Sequence, residues 1–194
     1  GNAIYSKGLV KTLKSKVGVK IIEIKNPSSR NPLDFWRLAK SANSGCDVIH
    51  VQHAYGLFGK LVFSGIYIPL FYTLLDKNKK IITTLHDVGD YSTSGLSGFV
   101  RKYYRKMIDR FIFKNSDLLH VHTQEAANWL VRQNVERQKI RVNPLAIFEK
   151  PIFLDKNLCK KELELKGFVA LLLGFVHKNK GHDIALEGIP FLDN

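Results

Sequence analysis

The sequence predicts an α/β fold, in which helices cover a parallel sheet. Short apolar runs rich in β-branched residues alternate along the chain with segments of helical periodicity. Those runs carry apolar residues at consecutive positions, as strands do when both faces are buried, and such strands belong to parallel sheets covered by helices. With 45% hydrophobic and 24% charged residues, the composition is that of a globular protein.

Each helix is predicted from its apolar periodicity and each strand from its β-branched run. Residues 4–14 open the series, because Ile4, Leu9, Val10 and Leu13 fall on one side of a helix. The predicted helices cover residues 4–14, 34–42, 57–76, 98–114, 125–134 and 160–167, and a further helix starts near His182. The predicted strands cover residues 19–25, 46–52, 79–85, 117–122, 139–145 and 168–174.

A change of composition around residues 144–160 predicts a domain boundary. Pro144 and Pro151 bracket a short irregular stretch, and a new strand-then-helix unit starts at Phe168. We expect one domain over residues 1–150 and the start of a second over residues 151–194, which is too short to bury its own core. A helix opening at Gly1-Asn2 resembles the exit of a glycine loop. The expectation is a chain truncated at both ends, with a first domain that lacks its first strand.

The charge of the chain restricts its partners without choosing among them. Thirty Lys and Arg residues against seventeen Asp and Glu give a net charge of +13, which favours phosphate, nucleic acid or an anionic membrane. The two cysteines, Cys46 and Cys159, lie far apart with no CxxC spacing, which favours a reducing compartment. The apolar stretch of residues 61–75 contains Ser64, Gly65 and Pro69 and is shorter than a membrane span.

Histidines lie at the ends of three of the predicted strands, at the edge where open parallel sheets bind ligands. The segments are HVQH, TTLHD and HVHT, which contain His50, His53, His86, His120 and His122. Alternation puts His120 and His122 on one face, and we expect His53, His86 and His122 to converge on one crevice. His86, backed by Asp87, is predicted to act as a general base or as a hydrogen-bond partner of a sugar or phosphate. The alternative is that polar residues lie there because the strands end at solvent.

A metal site is the rival interpretation of these histidines. His53, His86, Asp87 and His122 are suitable ligands. However, HxxH on a strand sends its two side chains to opposite faces, and no HExxH pair is present. We therefore predict no metal. Nicotinamide binding is also not predicted, because Glu23 lies inside a strand and no GxGxxG is visible.

Two basic segments each allow two interpretations. In GFVHKNKGHD, residues 174–183, Lys178 and Lys180 with the start of a helix form either a phosphate cradle or a solvated basic turn. Residues 101–114 form a basic helix with an apolar stripe of Val100, Tyr103, Tyr104, Met107, Ile108, Phe111 and Ile112. That helix either lies on an anionic membrane or packs its stripe on the sheet.

Taken together, these segments resemble the family 4 retaining glycosyltransferases, which have the two-domain GT-B architecture. The matching segments, in order, are GNAIYSKGLVKTLKSK, VKIIEIK, DVIHVQHAYGLFG, KKIITTLHD, SDLLHVHTQEAANWL and GFVHKNKGHDIALEGIP. The resemblance spans nearly the whole chain and implies a Rossmann-like, acceptor-side domain followed by the start of a nucleotide-sugar-binding domain.

The resemblance also implies the roles of particular residues. His86 matches a histidine that positions the sugar and acceptor, with Asp87 beside it, while His53 and Tyr55 in VQHAYG face the same opening. Gly1 and Asn2 would lie near the donor phosphates or the acceptor, and Lys180 with Gly181 would neutralise and cradle the donor diphosphate.

The implied enzyme is a hexosyltransferase that acts with retention in polysaccharide biosynthesis. Its donor would be a nucleotide-sugar and its acceptor a glycan or a lipid-linked molecule, with no cofactor and no nucleic acid. We expect it to be cytoplasmic and able to lie peripherally on an anionic membrane, and we expect the fragment alone to be inactive. The alternative is a non-catalytic basic α/β module that binds an anionic membrane or nucleic acid through residues 101–114.

Overall fold

A computed structural model describes residues 2–26, 31–58, 61–89, 95–145, 154–174, 176 and 180–191. The chain divides into two compact units, Gly1–Phe148 and Glu149–Asn194. The predicted domain boundary at residue 150 falls in a stretch outside the described residues.

Among the described residues, the first unit is built on a parallel sheet of four strands. They are β1 (Val48–His53), β2 (Lys80–Leu85), β3 (Leu118–Val121) and β4 (Ile140–Val142), and they lie side by side in that order. The helices are α1 (Asn2–Leu13), α2 (Pro32–Ala42), α3 (Leu61–Leu74), α4 (Gly95–Asn115) and α5 (Gln124–Arg132). The α/β class and the parallel sheet flanked by helices are therefore confirmed.

Local signals in the sequence start two of these helices. The Asn31 side chain accepts the Leu33 N–H at 3.0 Å at the start of α2, and Pro32 fits the first helical position because it needs no N–H partner there. At the start of α5, the Thr123 hydroxyl accepts the Ala126 N–H at 3.1 Å.

The core lies between one face of the sheet and the helices from α2 to α5. Helices α3, α4 and α5 each connect neighbouring strands in the same direction, so right-handed crossovers put them on one face. Phe35 of α2 stacks on Tyr67 of α3, with ring centroids 4.5 Å apart. Below them, the Thr83 hydroxyl lies 3.1 Å from the Tyr72 hydroxyl and 2.8 Å from that of Ser116, which ties β2 to α3 and to the end of α4.

Two of the predicted strands are not strands in the structure. Residues 19–25 form neither a helix nor a strand: Ile22 and Ile24 pack on the core, Ile21 is exposed, and no described strand pairs with this run. Residues 168–174 in the second unit are exposed and form neither a helix nor a strand, and they too have no described strand as a partner. An apolar run becomes a strand only where a neighbouring strand forms hydrogen bonds with its backbone N–H and C=O groups.

The remaining elements follow the prediction with shifted ends. Helix α3 begins at Leu61, and a 3-10 turn at Tyr55–Phe58 precedes it. The second unit holds α6 (Lys156–Glu162) and α7 (His182–Gly188). Within the described ranges, every helix is too short or too polar to cross a membrane.

Helix α4 provides a matched test of this core. Ile112 is fully buried, whereas Met107 on the same helix is more than half exposed. We expect Ile112→Ala to lower the free energy of unfolding by about 2–5 kcal/mol, and Met107→Ala to change it by less than about 0.5 kcal/mol. Urea unfolding followed by circular dichroism measures both. Equal losses in the two variants would contradict this orientation of α4.

Candidate active site

The sheet face opposite the core carries a group of polar side chains near the carboxyl ends of β1, β2 and β3. We call this group the histidine cluster, and its members are His50, Gln52, Thr84, His86, His120 and His122. The strand register brings them together, because Gln52 pairs with Thr84 and Thr84 pairs with His120. Alternation along each strand then points these side chains to the same face.

The Thr84 hydroxyl is the centre of the cluster. Its oxygen lies 2.7 Å from Nε2 of His50 and 2.9 Å from Nδ1 of His120. The Gln52 amide donates to the same Nε2 of His50 at 3.1 Å, so that nitrogen is an acceptor. The Thr84 hydroxyl therefore donates to His50 and accepts the Nδ1–H of His120, which links β1, β2 and β3 through side chains.

Gln52 also fixes the tautomer of His86. The distance between Nε2 of His86 and Oε1 of Gln52 is 2.9 Å, and an amide oxygen can only accept. His86 therefore carries its hydrogen on Nε2, and its Nδ1 keeps a lone pair. This arrangement makes His86 an acceptor for a ligand hydroxyl.

Helix α1 contributes an aromatic ring to the same face. The Tyr5 ring meets His86 and His122 edge-on, with centroid distances of 5.3 Å and 5.1 Å. His86 and His122 are themselves 5.2 Å apart, and His120 and His122 are 5.1 Å apart. The Nδ1–H of His122 donates to the Asn143 carbonyl at 3.1 Å, which ties the cluster to the residue after β4.

The surroundings of His50, His86 and His120 favour the uncharged state of these three imidazoles. Burial, together with His120 and His86, lowers the pKa of His50 to about 4. Burial is also the main cause that lowers the pKa of His86 and of His120, with a further contribution from His122 in each case. Neutral imidazoles both donate and accept hydrogen bonds, as recognition of sugar hydroxyls requires.

The expectation that His53 shares this crevice is wrong. Its side chain is only 1% exposed and lies on the core face, in line with Ile49 and Val51, because strand alternation separates it from His50. Its ring packs against Tyr55 and Phe58, with centroids 4.9 Å and 5.5 Å away. Neither ring nitrogen has a hydrogen-bond partner among the described residues, and burial with the nearby Arg105 charge lowers the pKa of His53 to about 3.

Asp87 and Tyr55 lie at the strand ends as expected, but their contacts differ from the prediction. The ring of His86 bonds to Gln52 rather than to Asp87, whose side chain is exposed. The Asp87 carbonyl accepts from Arg105 of α4 at 3.4 Å, and the Arg105 guanidinium lies over the Tyr55 ring at 3.7 Å. Sequence reasoning missed Gln52 and Arg105, although Gln52 is two residues from His50 and therefore on its face.

The remaining predicted residues lie elsewhere. In the second unit Lys180 is exposed, and Gly181, with φ of 68°, precedes α7, which begins at His182 as predicted. Asn2 begins α1, whereas Gly1 and Lys178 lie outside the described residues. No group of three or more potential metal ligands assembles within the part of the chain that the structure describes.

Polar side chains at the carboxyl ends of a parallel sheet define the ligand-binding edge of an α/β domain. The sequence profile of the family described as Glycosyltransferase Family 4 matches residues 12–147, which include β1 to β4 and every member of the histidine cluster. The chain therefore belongs to this family and carries a glycosyltransferase domain. No curated protein and no solved structure matches it.

The low pKa values predict the pH dependence of stability. The unfolded chain has histidine pKa values of about 6.5, so below that pH its histidines bind more protons than those of the folded chain do. The free energy of unfolding therefore falls as the pH drops from about 6.5 towards about 4. His50, His53, His86 and His120 act in this direction, whereas Asp109 opposes them, because burial raises its pKa to about 7.

We expect His53→Leu to reduce this loss, because it removes the buried imidazole and keeps a similar volume. Urea unfolding at about pH 7 and about pH 5 measures the difference for each protein. The change in the free energy of unfolding between the two pH values could be as large in His53→Leu as in the unsubstituted protein. That result would show that protonation of the His53 ring does not destabilise the folded chain.

Proposed function

We propose that this domain takes part in transfer of a hexose, with retention, from a nucleotide-sugar to a hydroxyl of a glycan or lipid-linked acceptor. The observation that carries the proposal is the orientation of His86 by Gln52, which leaves an acceptor nitrogen at the ligand-binding edge of the sheet. The hydrogen-bonding side chains around it include Gln52, Thr84 and the uncharged imidazole of His120, and these suit sugar hydroxyls.

The reaction breaks the bond between the anomeric carbon of the donor and its diphosphate oxygen. A bond forms between that carbon and the acceptor oxygen on the same face, and the acceptor hydroxyl proton passes to the departing diphosphate. The products are the glycosylated acceptor and a nucleoside diphosphate. His86 accepts a hydrogen bond from a hydroxyl of the sugar or acceptor through Nδ1 and so orients it.

Lys180 is proposed to bind the donor diphosphate. It is exposed, and its positive charge would offset the negative charge that develops on the leaving group. Asp87, also exposed, partly opposes the lowering of the His86 pKa. Because Lys180 provides the positive charge, the proposal calls for no cofactor beyond the nucleotide-sugar itself.

His86 and Lys180 are tested by transfer or donor hydrolysis with a panel of UDP- and GDP-sugars in the full-length protein. We expect His86→Ala and Lys180→Ala each to lower kcat/KM by on the order of 100-fold with one donor. His86→Asn, whose amide can replace one ring nitrogen, should recover part of the loss. Lys166→Ala, at another exposed lysine of the second unit, is the matched control for Lys180.

Two results would contradict these roles. Unchanged turnover in His86→Ala with the fold intact by circular dichroism would remove His86 from the site. No transfer with any donor, together with salt-sensitive binding to vesicles or nucleic acid that neither substitution alters, would favour the non-catalytic basic module.

Gln52 is expected to act as a positioning residue for His86. Gln52→Leu removes the acceptor of the Nε2–H and should lower kcat while circular dichroism stays the same. Gln52→Glu keeps an acceptor but adds a negative charge, which raises the pKa of His86. The acidic limb of the pH–rate profile should therefore move to higher pH in Gln52→Glu. A profile with an unmoved acidic limb would limit Gln52 to a structural role.

A further inference from the structure

Helix α4 exposes a row of large apolar side chains that the core does not use. Phe99, Val100, Tyr103 and Met107 are between 55% and 70% exposed. Phe99, Tyr103 and Met107 follow at intervals of four residues, so they lie on one side of the helix. We call these four residues the apolar ridge.

The core uses a different side of the same helix. Ile108 and Ile112 are buried, and Tyr104 and Phe111 pack against the core cluster. The ridge is therefore additional to the stripe that holds α4 on the sheet. A surface helix normally turns polar residues outward, and a contiguous apolar patch marks an interaction surface.

Positive charges surround the ridge. Lys102, Lys106, Arg110 and Lys114 are exposed on α4. The only acidic residue of the helix, Asp109, is turned inward and is 7% exposed. The outward face of α4 therefore combines apolar side chains with basic side chains that no acid of the helix offsets.

This surface lies at the same end of the sheet as the histidine cluster. Helix α4 begins beyond the carboxyl end of β2, and Arg105 reaches from it to Tyr55 and to the Asp87 carbonyl. Phe99 and Tyr103 lie in the N-terminal half of α4, the half that begins beyond this end of the sheet. An external surface that binds the outward face of α4 would therefore lie close to the strand ends, where the acceptor is proposed to bind.

We propose that the apolar ridge and the surrounding lysines and arginine dock this domain on an anionic lipid surface. The ridge side chains enter the boundary between headgroups and acyl chains, and the cations contact lipid phosphates. Nucleic acid would contact the basic side chains, but it would offer no apolar surface against which Val100 and Met107 could be buried. The inference extends the proposed function by favouring a lipid-linked acceptor, but docking itself does not require transfer.

The test is sedimentation of the full-length protein with vesicles. The vesicles are phosphatidylcholine with phosphatidylglycerol, or phosphatidylcholine alone. The ridge variant is Phe99→Ser/Tyr103→Ser/Met107→Ser, and the charge variant is Lys102→Gln/Lys106→Gln/Arg110→Gln. Lys11→Gln/Lys14→Gln/Lys16→Gln removes the same charge from other exposed lysines and is the matched control.

We expect binding to the anionic vesicles only, a loss of about tenfold or more in the ridge and charge variants, and a loss of less than about threefold in the control. In Tyr103→Trp, brominated lipids should quench the introduced fluorophore. Circular dichroism checks that each variant is folded.

Three outcomes would overturn the proposal. The control could lose as much binding as the charge variant, which would mean that net charge alone drives binding. The ridge variant could bind like the unsubstituted protein, or a single-stranded oligonucleotide could bind more tightly than vesicles and depend on the same residues. Transfer to a soluble acceptor is measured in parallel, so failure of the transferase proposal is recognised separately from failure of docking.

Discussion

The register of the parallel ladder is the constraint on which the rest of the first unit depends. It sets Gln52 beside Thr84 and Thr84 beside His120, so one hydroxyl bonds to imidazoles from both neighbouring strands. The preceding residue, Thr83, points the other way and bonds to the hydroxyls of Tyr72 and Ser116. A slip of one residue would exchange the two faces, placing imidazoles in the core and apolar side chains at the ligand-binding edge.

The sequence predicted the sheet where the information is local. Alternation placed His120 and His122 on one face, and their rings do lie together. The prediction of strands from the sequence failed where a partner distant in the chain decides whether a strand forms. Residues 19–25 and 168–174 have the apolar pattern of strands, but pairing depends on a neighbour that no local pattern encodes. The position of His53 at a strand end predicts the wrong face, because alternation along β1 turns its side chain inward.

Helix α4 shows a second limit of periodicity. Its predicted stripe joined residues of the core with residues of the ridge, because the apolar positions extend over more than one side of the helix. The spacing alone does not show which side of α4 packs on the sheet. The burial of Ile108 and Ile112 in the core identifies that side. Arg105 lies outside the predicted stripe, and its contacts with Tyr55 and Asp87 tie the helix to the strand ends.

The presence of uncharged imidazoles at His50, His86 and His120 in a chain of net charge +13 separates two tasks. The net positive charge attracts phosphate groups over a distance, whatever sugar or lipid they carry. At close range, an imidazolium would offer only donors, whereas the low pKa of His86 preserves the acceptor at Nδ1. Burial beneath Tyr5 and beside other histidines is what keeps that acceptor available. A more open site would gain positive charge on acidification and lose the hydrogen-bond pattern that distinguishes one hydroxyl from another.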